Sequence, residues 1–225
     1  MRFFPLFVTC GLLSIAPQLS ANRSGLSLID RGYIADYLTH EAAWAESHGA
    51  HNDDLGAGML YYALAYMRKA QLCVCLGSGG GFVPRIMKQA QRDLGLHSAR
   101  TILVDANIGG YGRPKWLAPD HFFRTEYPDV EIIMDLTQNV ALSHPEWQID
   151  YLHIDADHSF EGAYHDFWSY LPLMSRRGII TFHDTGSDQP CAKMIAHLQK
   201  QGFEIVNFRE LGAGVAIIYP SSKLR

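Results

Sequence analysis

The chain has 225 residues, 48% of them apolar and 12% aromatic, enough to bury one sizeable core and too few for a second domain. A formal net charge of −4 with no basic stripe argues against nucleic acid as a partner. The four cysteines, Cys10, Cys73, Cys75 and Cys191, include no CxxC pair, so neither a zinc knuckle nor a disulfide framework is indicated and a reducing compartment fits best.

Residues 1–21 stand apart. Met1-Arg2, the apolar run from Phe3 to Ala16 and the small-residue exit to Ala21 have the form of a secretory signal. The run is short and broken by Pro5, so no stable membrane span is expected. Peripheral membrane contact through residues 3–16, packing on the domain, or an overlong start are the competing readings. Residues 22–225 read as one domain with an N-terminal helical extension. In that extension Leu28 to Ser47 reads helical, with Ile34, Leu38, Ala42 and Ala45 on one stripe and Gly49 closing it. His51 to Asp54 offer capping groups to a second helix, along which Leu55, Met59, Tyr62, Ala63 and Tyr66 recur.

Gln71 to Leu76 is an apolar strand, followed by Gly77-Ser78-Gly79-Gly80-Gly81 and a helix carrying Val83, Ile86, Met87, Ala90 and Leu94. Cys73 and Cys75 share one face of that strand, which suits small buried side chains. Strand, glycine turn and helix is the context in which backbone N–H groups hold a nucleotide. Thr101 to Val104 forms the next strand and ends in Asp105, an acid placed to bind ribose hydroxyls. The segment 106–128, rich in glycine and containing Pro114 and Pro119, reads as a long pocket-shaping connection. Val130 to Met134 is a third strand, again ending in an acid, Asp135.

Ile149 to Ile154 is a fourth, buried strand that runs into Asp155, Asp157 and His158. A helix follows in which Phe160, Tyr164, Phe167, Leu171 and Met174 keep helical spacing as core, with Arg176 and Arg177 at its C-terminus. Gly178 to Phe182 is a fifth strand, ending in His183-Asp184-Thr185. After a helix over Cys191–Gln201 with Met194, Ile195 and Leu198 on one face, Phe203–Phe208 and Val215–Tyr219 form an antiparallel hairpin. The fold class expected is α/β: a Rossmann-like, seven-stranded, mostly parallel sheet with helices on both faces and a C-terminal antiparallel hairpin. The glycine loop, Asp105, Asp135 and the two Asp/His clusters then fall on one sheet edge, where such sheets bind ligands.

The run His153-Ile-Asp155-Ala-Asp157-His158-Ser-Phe160-Glu161-Gly162, with Asp166 and then Arg177-Gly178-Ile-Ile-Thr-Phe-His183-Asp184-Thr185, resembles class I S-adenosylmethionine-dependent methyltransferases. The branch is that of catechol O-methyltransferase, the macrolide-sugar O-methyltransferases and the cephalosporin hydroxylase-type proteins, and the likeness spans about residues 50 to 220. The resemblance implies O-methylation of a small molecule. Gly77, Ser78 and Gly79 would hold the methionine part of S-adenosylmethionine, Asp105 its ribose, and Asp135–Leu136 its adenine. Asp155, His183 and Asp184 match the branch's positions for a divalent cation, magnesium by the hardness of the oxygen ligands, although His183 replaces an acid. Cys75 likewise stands where relatives carry an acid that orients the cofactor's amino group. Asp155, His158, His183 and Asp184 are the expected catalytic residues, with His158 or His183 as base if no metal binds.

Three rivals remain. An NAD(P)-dependent oxidoreductase shares the glycine loop and the ribose acid but leaves the terminal hairpin and the later acidic strand ends without a role. A non-haem iron oxygenase would use His153, Asp155 and His183, but His153 lies one pleat deeper, and a buried structural role suits it better. A catalytically degenerate nucleoside-binding domain draws its support from Cys75. Because the methyl donor is made in the cytosol, a cytoplasmic protein is expected, with export or membrane association through residues 1–21 as the alternative; homo-oligomerisation is left open.

Overall fold

The computed structural model describes residues 30–77, 80–108 and 114–220. Residues 1–21 with Cys10, and Ser78 and Gly79, lie outside the described residues. Seven strands form one sheet in the order β3-β2-β1-β4-β5-β7-β6. They are β1 (Leu72–Leu76), β2 (Arg100–Val104), β3 (Val130–Ile133), β4 (Ile149–Ile154), β5 (Met174–His183), β6 (Glu204–Phe208) and β7 (Val215–Tyr219). The first five pair in parallel; β7 runs antiparallel to both β5 and β6, so the expected fold class and terminal hairpin are present.

Alternation along each strand divides the core in two. Cys73, Cys75, Leu103, Tyr151, Ile179 and Ile217 face one layer. It is covered by the N-terminal segment, α2 (Gly58–Arg68) and α3 (Phe82–Asp93). Val74, Leu76, Ile102, Val104, Leu152, Ile154, Ile180 and Phe182 face the other. There α5 (Thr137–Ser143), α6 (Phe160–Tyr170) and α7 (Ala192–Lys200) close over them. Strands buried on both faces read as continuous apolar runs, which is why they were legible. Each large aliphatic or aromatic side chain so buried contributes about 1.5–3 kcal/mol, with Phe82, Phe167 and Phe182 all fully enclosed.

Several expectations need correction. Leu28 to Ser47 is not one helix: among the described residues it is a single turn α1 (Arg31–Tyr33), a π-turn Ile34–Leu38 and a 3-10 turn Ala45–His48. The stripe Ile34, Leu38, Ala42, Ala45 is buried as expected, and Gly49, at φ 73°, does close the segment. The helical run ends at Thr39, whose N–H donates to the Ile34 carbonyl in the wider π pattern while its hydroxyl donates to the Asn52 carbonyl. Glu41 and Trp44 then take left-handed φ of 49° and 64°.

In α2 the packed residues are Tyr61, Tyr62, Leu64 and Ala65, and Tyr66 is exposed. The helix is apolar nearly all round, so spacing alone does not choose a face. It has no side-chain cap; Asp54 accepts instead from the Gly56 N–H. The connection 106–128 contains a 3-10 turn Pro114–Leu117 and α4 (Phe122–Glu126), and α5 after Asp135 was not anticipated. The helix α6 ends at Tyr170, where a 3-10 turn containing Pro172 takes over. Met174, Arg176 and Arg177 therefore belong to β5, both arginines exposed, and Tyr164 is exposed instead of core.

Candidate functional site

Strands β1 and β4 are central neighbours whose onward connections leave in opposite directions, the crevice position of such sheets. Gly77, directly after β1, has φ 70°, and a Cβ there would stand 2.3 Å from the Asp155 carbonyl oxygen. Its N–H donates to Val104 O at 2.9 Å while Asp155 N–H donates to Leu76 O at 2.9 Å, so three strand ends are laced together at a glycine. Gly81, at φ 86°, opens α3, and a Cβ on Gly80 would meet Ala43 of the N-terminal segment at 2.7 Å. Asp105 follows β2 and turns back on itself, its Oδ1 accepting from Asn107 N–H at 2.7 Å. Asp135 and Leu136, at the end of β3, are exposed; Asp135 Oδ1 accepts from Leu136 N–H and Asn139 Nδ2. Asp105, Asp135 and Leu136 thus lie on the same sheet edge as Gly77.

The pairing of His153 with Thr181 and Ile154 with Phe182 sets Asp155 beside His183. His183 Nδ1 is 3.0 Å from Asp155 Oδ1 and 3.3 Å from Asp184 Oδ1. His158 spans both carboxylates from outside: Nδ1 is 2.7 Å from Asp184 Oδ2 and Nε2 is 3.3 Å from Asp155 Oδ1. All four sequence-predicted residues therefore converge. Asp184 is held there with a left-handed φ of 54°, unfavourable for a residue with a side chain by about 1–2 kcal/mol. Asp157 is not part of the cluster; it accepts from Ser159 N–H at the start of α6.

Electrostatics follow from this packing. Burial works against a charge on Asp155, but the neighbouring His183 and the other imidazoles outweigh it and hold the carboxyl well below the usual range. Contacts with Asp155 and Asp184 push His158 up to about 10. Burial alone would lower His183, yet the Asp155 charge raises it. His153 is lowered by burial; it is fully enclosed, with Nδ1 2.8 Å from Thr181 Oγ1, as a deep structural position requires.

Sequence reasoning missed His48. It is buried on the N-terminal segment, its ring 3.8 Å from that of His183, with Nε2 3.6 Å from Asp155 Oδ2. Its neighbour Ser47 accepts from His183 through its carbonyl although the two are 136 positions apart. No motif surrounds His48, and only the tertiary fold brings it in. Burial, then the His183 charge, pushes it well below its ordinary value.

Cys75, at the position where an acid was expected, is fully buried and its thiol donates to Gly77 O at 2.9 Å. Burial raises its pKa well above that of a free thiol. Cys73 and Cys191 are also free and buried.

The donor set fits a divalent cation. Asp155, His158 and Asp184 present ligand atoms within 4.8 Å of one another, and so do His48, Asp155 and His183. Among the described residues no helix is long and apolar enough to cross a membrane.

A family profile described as a methyltransferase domain matches residues 74–185, from β1 to the turn after β5. No curated protein matches the chain. Solved structures share the fold at low identity. An SAH-bound methyltransferase from Podospora anserina is 19% identical with a TM-score of 0.59, over 81% of this chain and 87% of that one. An O-methyltransferase from Bacillus cereus in complex with SAH is 16% identical with a TM-score of 0.54, over 72% and 79%. An O-methyltransferase from Streptomyces achromogenes involved in tomaymycin synthesis, bound to SAM, is 15% identical with a TM-score of 0.52, over 80% and 87%.

Proposed function

We propose that this chain, which belongs to the class I S-adenosylmethionine-dependent methyltransferases on their catechol O-methyltransferase-like branch, methylates a hydroxyl oxygen of a small molecule, a hydroxylated metabolite or a sugar. One observation carries the oxygen-acceptor reading: Asp155, His158, His183 and Asp184 converge at the ends of two adjacent strands, beside the glycine turn. Bound S-adenosylmethionine supplies a sulfonium methyl already activated for transfer, so the protein's task is alignment and proton removal. Gly77, Ser78 and Gly79 take its methionine part, Asp105 its ribose, and Asp135 with Leu136 its adenine. His158 is the outermost member of the cluster, its side chain 41% exposed, and so meets the acceptor. In its unprotonated form, with two carboxylates beside it, it is a stronger base than a free imidazole and takes the hydroxyl proton at Nε2.

Asp155, His183 and Asp184 would hold a divalent cation, which supplies a lower pKa to a bound hydroxyl. Since the methyl donor is made in the cytosol, the reaction is proposed for that compartment. Calorimetry should give binding of S-adenosylmethionine and its demethylated product and none of NAD. Labelled cofactor with a panel of catechols, sugars and other hydroxylated metabolites should identify the acceptor. Replacing Asp155 or His158 by Ala should reduce transfer by about 100-fold or more with cofactor affinity unchanged. Binding of NAD with no response to the sulfonium cofactor refutes the reading.

A further inference from the structure

Imidazole nitrogens approach the Asp155 carboxylate from four sides, and two of those rings are tied from behind as metal-ligating histidines are. His183 Nε2 is 3.2 Å from the Ser47 carbonyl oxygen. A carbonyl and a carboxylate both only accept, so Nε2 and Nδ1 each carry a hydrogen, and the Nδ1 hydrogen, facing Asp155 Oδ1 at 3.0 Å, is the one an ion would displace. His48 is also held at the nitrogen turned away from Asp155, by a hydroxyl that can accept or donate. Its Nδ1 sits 3.0 Å from the Tyr61 hydroxyl, and its Nε2 stops 3.6 Å from Asp155 Oδ2, too far for a hydrogen bond. One ligand atom each from His48, Asp155 and His183 lies within 4.8 Å of the others. A second observation is independent of this triad. His153 Nε2, fully buried on β4, has no hydrogen-bond partner and lies 3.7 Å from the same Asp155 Oδ2 that His48 faces. Native interiors rarely leave such a nitrogen unpaired, and this one faces the same carboxylate oxygen as His48.

We propose that His48, Asp155 and His183 bind a divalent first-row transition ion of the zinc or cobalt(II) kind, with His48 delivered by the N-terminal segment. The proposal deepens the methyl-transfer reading by naming the ion class, and it moves the ion inward, away from Asp184, which stays on His158 at 2.7 Å. Donor chemistry decides the class. Magnesium requires oxygen ligands and retains water, whereas two imidazoles with one carboxylate suit borderline ions. The Tyr61 hydroxyl and the Ser47 carbonyl fix the ring orientations, so the site is organised before the ion arrives.

The test uses the full-length, tag-free protein, stripped with a chelator and titrated separately with zinc, cobalt(II) and magnesium salts. Zinc and cobalt(II) should bind at one equivalent, at least about 100-fold more tightly than magnesium. One equivalent of copper(II) should give an electron paramagnetic resonance spectrum with coupling to two nitrogens. In His48→Gln that coupling should fall to one nitrogen, and zinc affinity should drop about 10-fold or more. Equal zinc and magnesium affinities, a spectrum from oxygen ligands alone, no ion binding, or unchanged zinc affinity in folded His48→Gln each overturns the proposal. If His48→Gln does not fold, the nitrogen count in the unsubstituted protein decides. Calorimetry with S-adenosylmethionine on the same samples separates the two readings: cofactor binding without a two-nitrogen ion rejects only the ion. A two-nitrogen ion without cofactor binding rejects only methyl transfer.

Discussion

Replacing Asp166 by Asn should stabilise the protein at pH 8 and leave it almost unchanged at pH 4. Asp166 is buried on α6, where Thr137 donates to its Oδ1 and Gln138 Nε2 lies 3.4 Å from the same oxygen. Its Oδ2 has no partner. Burial is the largest influence and raises the carboxyl to about 6 from an ordinary 3.8, the Thr137 hydrogen bond offsetting part of it. A carboxyl raised on folding favours the folded state fully below its unfolded value, and that advantage is lost as pH rises through the folded value. The window is therefore pH 4 to 6, and above it the ionised form is a standing penalty. The rise from 3.8 to about 6 corresponds to about 3 kcal/mol as an upper bound. Asn keeps an acceptor for Thr137 and carries no charge, so the variant should recover about 1–3 kcal/mol at pH 8. Urea unfolding of both proteins at pH 4, 6 and 8 measures this as a midpoint shift at constant slope. Other titrating groups cancel in the difference between the two proteins. A difference that is flat with pH, or a variant that is less stable at pH 8, refutes the reasoning.

Two further outcomes are expected besides the tests given above. Gly77→Ala should lose about 2 kcal/mol or more, since the residue has φ 70° and its new methyl would meet the Asp155 backbone; an unchanged melting temperature would contradict the lacing of three strand ends at that glycine. Cys73, Cys75 and Cys191, all buried with raised pKa values, should resist alkylation in the native protein at pH 8 and react on unfolding; mass spectrometry showing early labelling of Cys75 would refute its buried role.

The sequence alone determined the sheet. Strand β1 is buried on both faces and is written as an unbroken apolar run, β2 and β4 carry mostly apolar, β-favouring residues, and the close spacing of β6 and β7 forced an antiparallel pair. It also determined that Asp155, His158, His183 and Asp184 share an edge, because a parallel sheet carries all its strand ends to one side. What it left undecided was whatever depends on side-chain competition or on distant packing. At Thr39 the backbone N–H pairs with the Ile34 carbonyl in the wider π pattern and the chain then turns through left-handed Glu41 and Trp44, so a correctly spaced apolar stripe became a string of turns. On α2 an all-round apolar surface hid which face was inside. Pro172 ended α6 early and handed Met174 to a strand. His48 marks the limit most clearly. Its surroundings carry no motif, and its place against Asp155 and His183 exists only because the N-terminal segment folds over the sheet edge, bringing Ser47 to His183. Periodicity reports which face of an element is buried; it holds no information on which distant residue will lie across from it.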